Sequence, residues 1–167
     1  MAKNINELVK EIQAELNKII ELIAQDVEDE IDNALSIYYQ EYHPKRYIPR
    51  TYQLRNCCHI SAPKIVGNSI SIEVYLDISS LNYTQEGADP YKTVVAADVG
   101  LHGGYDVTEE IIIPWKDIDP ASHSLTGSKY GGTSIWTDPI EDMIKNRWIQ
   151  EWFIEHARRR GITIKEM

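Results

Sequence analysis

The sequence predicts an α+β fold, in which a long N-terminal helix and a C-terminal helix flank a small, mainly antiparallel β-sheet. Residues 4–42 contain no Gly or Pro and repeat apolar side chains at steps of three and four, which is the period of a helix. Residues 57–78 alternate apolar and polar side chains around a Gly-Asn pair, which is typical of a β-hairpin. The predicted strands and helices do not alternate as β-α-β units, so we expect them to be segregated.

Length and composition fit one soluble domain over residues 1–167. The chain is 43% hydrophobic and 26% charged, close to the average for globular proteins. No stretch is apolar enough to span a membrane, and the N-terminus lacks the apolar core of a signal peptide. The net charge of −9 argues against a general affinity for nucleic acid, because phosphates are bound by clustered Lys and Arg. We expect a cytosol-like compartment and no membrane partner.

The first element is the helix over residues 4–42. Asn4 is expected to cap its start while Glu7 reaches back in a capping box. About 38 residues would span roughly 57 Å, which exceeds the needs of a domain with a radius of gyration of about 15 Å. Part of the helix should therefore project or pack on another chain, unless it breaks near Gln25 and Asp26. The pattern fits a core helix with one solvated face, and it equally fits a helix whose apolar face is fully buried only in an oligomer. Its apolar face comprises Ile5, Leu8, Ile12, Leu16, Ile19, Ile23, Val27, Ile31, Ala34 and Tyr38.

The middle of this helix is acidic and carries no Lys or Arg. Such a concentration of charge is most often a solvated face. In a ring it could instead line a channel and repel something negative. The candidates for a channel-facing surface are Glu28, Asp29, Glu30 and Asp32.

Tyrosine and arginine side chains crowd into the segment that follows. Pro44 and Pro49 exclude a helix interior there. Tyr and Arg are enriched at protein interfaces, and the same mixture could stack on and clamp a nucleic acid. A loop packed on its own sheet also fits, so three interpretations stay open. The candidates for a subunit interface are Tyr38, Tyr39, Tyr42, Tyr47, Arg50, Tyr52 and Arg55.

The hairpin at 57–78 is predicted to have one buried face. Gly67 and Asn68 form its turn. Pro63 cannot donate a ladder hydrogen bond, so the first strand should lie at an edge or bulge there. The adjacent Cys57 and Cys58 would make a strained disulfide that closes no useful loop, and we interpret them as a buried structural pair.

Further elements follow the hairpin. Asp89 and Pro90 predict the start of a short helix over 89–100. Residues 107–113 suit a further strand. Residues 116–137 are rich in Gly, Ser and Thr, so we expect a long, mobile loop.

A C-terminal helix is predicted over residues 139–160. Asp138 and Pro139 supply its capping signature. It ends in three arginines, where the helix dipole favours positive charge, just before Gly161. The tail from residue 162 could add a short strand.

No motif indicates catalysis or a metal site. HExxH, paired CxxC, GxSxG and phosphate-loop patterns are absent, and the five histidines have no repeated spacing. The carboxylates offer no acid/base pair. We therefore predict a non-enzymatic protein with no catalytic residue, no metal and no cofactor.

The order of parts resembles the small neck and tail-component proteins of long-tailed bacteriophages, the head–tail joining or tail-completion group. In that family a long N-terminal helix leads into a segment Y-x-P-x-x-Y-x-R-T-x-x-L. Residues 42–54, YHPKRYIPRTYQL, match it if one residue is inserted between Tyr47 and Arg50. The family's sheet, glycine-containing loop and C-terminal helix correspond to the hairpin, to LHGG at 101–104 and to the helix after Pro139.

This resemblance implies a structural virion protein that assembles in the host cytoplasm and joins the neck or upper tail of the particle. It implies a homo-oligomeric ring of six or more copies around the DNA channel. The implied partners are the chain itself, neighbouring neck or tail proteins, and passing DNA bound without sequence specificity. Neck protein, tail terminator and minor virion component all remain open as the subgroup. The alternatives are a non-enzymatic binding module, whose Tyr/Arg segment holds a protein or nucleic acid, and an enzyme whose site no motif reveals.

Overall fold

The protein has the predicted α+β fold. The computed structural model describes residues 4–41, 53–67, 69–81, 90–98 and 134–164. Its elements are helix α1 (Ile5–Glu41), strands β1 (Cys58–Ile60), β2 (Lys64–Val66), β3 (Ser69–Ser71) and β4 (Val74–Leu76), and helices α2 (Pro90–Asp98), α3 (Thr137–Lys145) and α4 (Trp148–Arg159). Short 3₁₀ turns at Leu54–Asn56 and Ile78–Ser80 flank the strands. Within these ranges, no helix combines the length and apolar character needed to cross a membrane.

Helix α1 begins with the predicted capping box. The backbone N–H of Asn6 donates to Asn4 Oδ1 at 3.2 Å, and the backbone N–H of Asn4 donates to Glu7 Oε2 at 3.3 Å. Two backbone donors that the first turn leaves unpaired are thus satisfied. The helix then continues without a break near Gln25 or Asp26, so its length is roughly 55 Å.

The predicted hairpin is confirmed, and it contains a bulge. Strands β1 and β4 pair antiparallel with Cys58 opposite Leu76, and β2 and β3 pair with Lys64 opposite Ser71. The register changes by one residue between these two ladders, at the site of Pro63. This confirms the prediction that the missing N–H of proline bulges the strand. Gly67 in the turn has φ +60°, a conformation that glycine adopts without steric cost.

Burial on the hairpin differs between its two halves. In the half nearest the core, Cys58 is buried and His59 is exposed, as the predicted alternation requires. In the far half, Ile65 and Val66 are both exposed. On the opposite strand, Ile70 and Ile72 are half-buried while Ser71 and Glu73 are exposed, so the predicted alternation continues through β3 and β4. The prediction of one buried face is therefore wrong only for β2.

The core lies where α1, the near half of the hairpin, α2 and α3 meet. The apolar face of α1 is buried or half-buried from Leu16 to Tyr38. Towards the N-terminus, the same face is exposed at Ile5, Leu8 and Ile12. The buried cluster comprises Ile31, Leu35, Tyr38, Leu54, Cys57, Cys58, Leu81, Val94, Ala97, Ile135 and Met143.

The single C-terminal helix predicted over 139–160 is two helices. Arg147 has φ 60° and ends the regular geometry, while the N–H of Asn146 donates to the Asp142 carbonyl at 2.9 Å and closes the last turn of α3. A left-handed residue changes the chain direction, and both α3 and α4 contact α1. The sequence has no Gly or Pro at this point, and its apolar residues keep the helical spacing across the break. The sequence pattern therefore predicts one helix where the structure has two.

The ends of the C-terminal helices test two capping predictions. Helix α3 begins at Thr137, with Trp136 at the N-cap position, so the predicted cap at Asp138 is wrong. Gly161 has φ +74° and its N–H donates to the Arg158 carbonyl, while the N–H of Ile162 donates to the Ala157 carbonyl at 2.9 Å. These two bonds form a Schellman motif and confirm the predicted end of the helix.

Several predictions lie wholly or partly outside the described residues. Helix α2 is confirmed over Pro90–Asp98, while residues 89, 99 and 100 are outside. The strand at 107–113, the LHGG stretch and residues 116–133 of the predicted loop are also outside. The last residues of that loop, from Ser134, are buried and lead directly into α3. Residues 162–164 form no strand.

Candidate interaction surface

An apolar face is uncovered at the start of α1. We call it the ridge, and its members with their exposed fractions are Ile5 (77%), Leu8 (49%), Val9 (46%) and Ile12 (50%). Their spacing places them on one side of the helix. Apolar side chains arranged on one helix face normally pack against another element. Among the described residues, no element covers the ridge.

A groove opens between α1, β3 and α4, with a volume of about 780 Å³. It lies on the same side of α1 as the ridge, because Ile12 and Ile23 are eleven residues apart. Its few polar side chains suit it to apolar groups rather than to a polar ligand. The groove is lined by Ile20, Ile23, Ile70, Ser71, Ile72, Arg147, Ile149, Gln150, Phe153, Ile154 and Ile164.

Polar contacts to α1 hold α4 in place as one wall of the groove. His156 Nε2 lies 2.6 Å from Asp26 Oδ2, and His156 is buried. Further along, Arg160 Nε donates to Glu15 Oε2 at 2.6 Å. This bond to the guanidinium holds the pKa of Glu15 below its ordinary value. Besides the predicted interaction with the helix dipole, Arg160 therefore also binds α4 to α1.

A buried carboxylate joins α2 to the start of α3. Asp98 is 1% exposed. Its Oδ1 accepts hydrogen bonds from Ser134 Oγ at 2.6 Å, from Trp136 N at 2.8 Å and from Thr137 N at 2.9 Å. Its Oδ2 accepts from Thr137 Oγ1 at 2.5 Å. Asp98 thus caps α3 from another helix, and its negative charge is favourable at a helix N-terminus.

The role of Asp98 is not visible in the sequence, because its partners are more than thirty positions away. The available signal was the pair Ser134 and Thr137, whose hydroxyls precede an apolar helix face as capping residues do. That signal identifies neither the acceptor nor its helix. Four hydrogen bonds within one buried site indicate a structural clamp.

The acidic candidates differ in exposure. Asp29 and Asp32 are exposed, whereas Glu28 and Glu30 are half-buried. The side-chain amide of Gln25 donates to Glu28 Oε2 at 2.9 Å and to Asp29 Oδ1 at 3.2 Å. Partial burial raises the pKa of Asp32, although the charge of nearby Arg55 opposes the shift. A channel-facing role therefore fits Asp29 and Asp32 best.

The described Tyr/Arg candidates occupy different environments. Tyr38 is 6% exposed and belongs to the core, so it has little surface to offer a partner, and we leave it out of the proposed interface. Its ring makes an edge contact with half-buried Tyr39, with ring centroids 5.5 Å apart. Arg55 is exposed. The other candidates, Tyr42, Tyr47, Arg50 and Tyr52, lie outside the described residues.

The two cysteines are the predicted buried structural pair. Both thiols are free and buried, and Cys57 Sγ donates to the Leu54 carbonyl at 2.9 Å. Burial raises the pKa of Cys57 to about 11 and that of Cys58 to about 12. Both are therefore protonated near neutral pH, and a thiol is a poor nucleophile and metal ligand. In the part of the chain that is described, no group of three His, Cys, Asp or Glu residues could hold a metal ion.

Comparisons of the chain with family models, with curated proteins and with solved structures found no match. The structure thus defines a class of architecture, α+β with a long N-terminal helix.

Proposed function

We propose that this chain is a structural virion protein of a tailed bacteriophage, and that its copies form a ring of six or more subunits around the DNA channel. The ring would belong to the neck or upper tail, as a head–tail connector, tail-completion protein or tail terminator. The motif at residues 42–54 and the long N-terminal helix support this proposal.

The observation that carries the proposal is the ridge. Full burial of one aliphatic side chain is worth about 1.5–3 kcal/mol. The exposed fractions of Ile5, Leu8, Val9 and Ile12 add up to about two whole side chains, so covering the ridge would release roughly 3–6 kcal/mol. A subunit contact is the natural means of recovering this free energy in an assembly protein.

The exposed acids support a channel around DNA. Asp29 and Asp32 lie on the outer face of α1, and the chain carries a net charge of −9. Carboxylates facing a channel repel phosphates, so DNA would slide through without adhering.

The test is the mass of the full chain by light scattering, followed by negative-stain imaging. Six copies of 19.2 kDa give about 115 kDa, and we expect that mass or a larger one together with closed rings that have a central hole. Particles without a hole, or monomers at every concentration, would contradict the ring.

The second candidate is a non-enzymatic binding module, which the open apolar groove favours. Most of the Tyr/Arg segment lies outside the described residues, so this candidate rests on the groove. A monomer that binds another protein through the groove would support it. Salt-dependent binding of DNA or RNA would instead support a nucleic-acid partner.

A further inference from the structure

We infer that the groove of one copy receives the ridge of a second copy of this chain. The inference rests on the homo-oligomeric part of the proposed function and deepens it by naming the two surfaces in contact. The ridge is a convex row of aliphatic side chains, and the groove is a concavity lined mainly by isoleucines. This pairing is a helix-in-groove contact, in which side chains at steps of three and four act as anchors.

The ridge cannot enter the groove of its own chain. Both features lie on α1, which runs without interruption from Ile5 to Glu41. Ile12 of the ridge and Ile20 of the groove are eight residues apart, so the helix keeps them about 12 Å apart. Whatever fills the groove must therefore come from a different molecule or a different element, and the ridge needs a groove that is not its own.

Charge favours a second copy as that occupant. Arg147 lines the groove and has no ion-pair partner among the described residues. The segment 5–12 that bears the ridge contains Glu7 and Glu11 against Lys10, so its net charge is negative. Glu11 follows Leu8 by three residues, which places it beside the ridge on the helix surface. A cation at the groove and excess acid at the ridge attract each other and oppose the contact of two grooves.

The size of the contact indicates how the copies are arranged. The ridge from Ile5 to Ile12 is about 12 Å long and about 10 Å wide, or roughly 120 Å². A stable interface buries about 800 Å² on each partner. One contact alone is thus weak, and each copy must use both its ridge and its groove. Contacts that run head to tail in this way close into a ring when the rotation allows.

The experiment uses two variants of the full chain. The ridge variant is Leu8→Asp with Ile12→Asp, and the groove variant is Ile149→Asp. All three positions are at least 38% exposed, so each variant should keep the helical circular dichroism of the parent. We expect both variants to be monomers by light scattering while the parent is an oligomer.

Mixing the two variants gives the decisive result. The ridge variant keeps an intact groove and the groove variant keeps an intact ridge, so one contact can form between them and no further copy can add. We expect a complex of twice 19.2 kDa, about 38 kDa, in the concentrated mixture and in neither variant alone. The control is Val66→Asp, an exposed apolar position on the far half of the hairpin, which should keep the parent mass.

Each other outcome has a distinct meaning. Variants that retain the parent's mass, or folded monomers that form no complex when mixed, overturn the ridge-in-groove contact and leave the ring standing. A monomeric parent overturns both proposals. If the groove variant unfolds, hydrogen exchange of the parent replaces it: protection of amides 6–12 should rise with concentration, and protection that stays constant rejects the contact.

Discussion

Removing the carboxylate of Asp98 should be one of the most destabilising single changes in the described part of the chain. Asp98→Ala deletes the acceptor of four hydrogen bonds. Two backbone N–H groups at the start of α3 then lose their acceptor. A hydrogen bond to a charged group is worth about 1.5–3 kcal/mol, and each buried donor left unpaired costs about 1–3 kcal/mol. These terms overlap, so we expect a loss of about 4 kcal/mol in the free energy of unfolding.

The assay is urea denaturation followed by far-ultraviolet circular dichroism. A domain is stable by about 5–15 kcal/mol, so the urea midpoint should fall by about a quarter or more for Asp98→Ala. Asp98→Asn keeps one acceptor oxygen and should lose about 1–2 kcal/mol. The matched control is Asp142→Ala, an exposed acid on α3, which should change stability by less than about 0.5 kcal/mol.

A double-mutant cycle separates the clamp from a general packing effect. Thr137→Val keeps the shape of the side chain and removes the hydroxyl that donates to Asp98 Oδ2 at 2.5 Å. We expect a coupling of at least about 1 kcal/mol between Thr137→Val and Asp98→Ala. If Asp98→Ala costs less than about 1 kcal/mol, or the two changes are additive, the carboxylate does not hold α3 to α2.

Further predictions concern the thiols, the last helix and the acidic face. A thiol reagent at neutral pH should label neither Cys57 nor Cys58 in the folded chain and both in urea, because their pKa values are about 11 and about 12. An unfolded thiol has a pKa of about 8.5. The stability that the two protonated thiols contribute should therefore be fully present below about pH 8.5 and should be lost as the pH rises towards about 11 and 12. Urea denaturation at several pH values measures this loss. Gly161→Ala should cost about 1 kcal/mol in urea denaturation, since φ +74° suits glycine. Asp29→Lys with Asp32→Lys should create salt-sensitive DNA retention by the assembled ring in a filter-binding assay, and unchanged retention would reject a channel-facing role.

The elements that the sequence predicts well are those decided by neighbours along the chain. The capping box at Asn4, the turn at Gly67 and the Schellman end at Gly161 each depend on residues within about six positions. Pro63 likewise acts at its own position, because its missing N–H interrupts the ladder. Local rules therefore placed α1, the hairpin and the end of α4 correctly.

The features that the sequence does not reveal depend on distant contacts. Arg147 adopts a left-handed conformation between α3 and α4, and no local residue signals that turn. Asp98 reaches its partners across more than thirty residues. The apolar period of α1 runs through Ile5 and Ile19 alike, although the first is exposed and the second is buried. Periodicity identifies a face that can be buried, and tertiary contacts decide how much of it is.

The position of α4 explains why the ridge begins where it does. The bonds from His156 to Asp26 and from Arg160 to Glu15 hold the C-terminal end of α4 on α1. The contact of α4 with α1 therefore ends near Glu15, about one turn to the C-terminal side of Ile12. The exposed turns persist as helix, because extending an existing helix needs no new nucleus and the capping box at Asn4 satisfies its first donors. The ridge is thus ordered before any partner arrives, which lowers the entropic cost of a subunit contact.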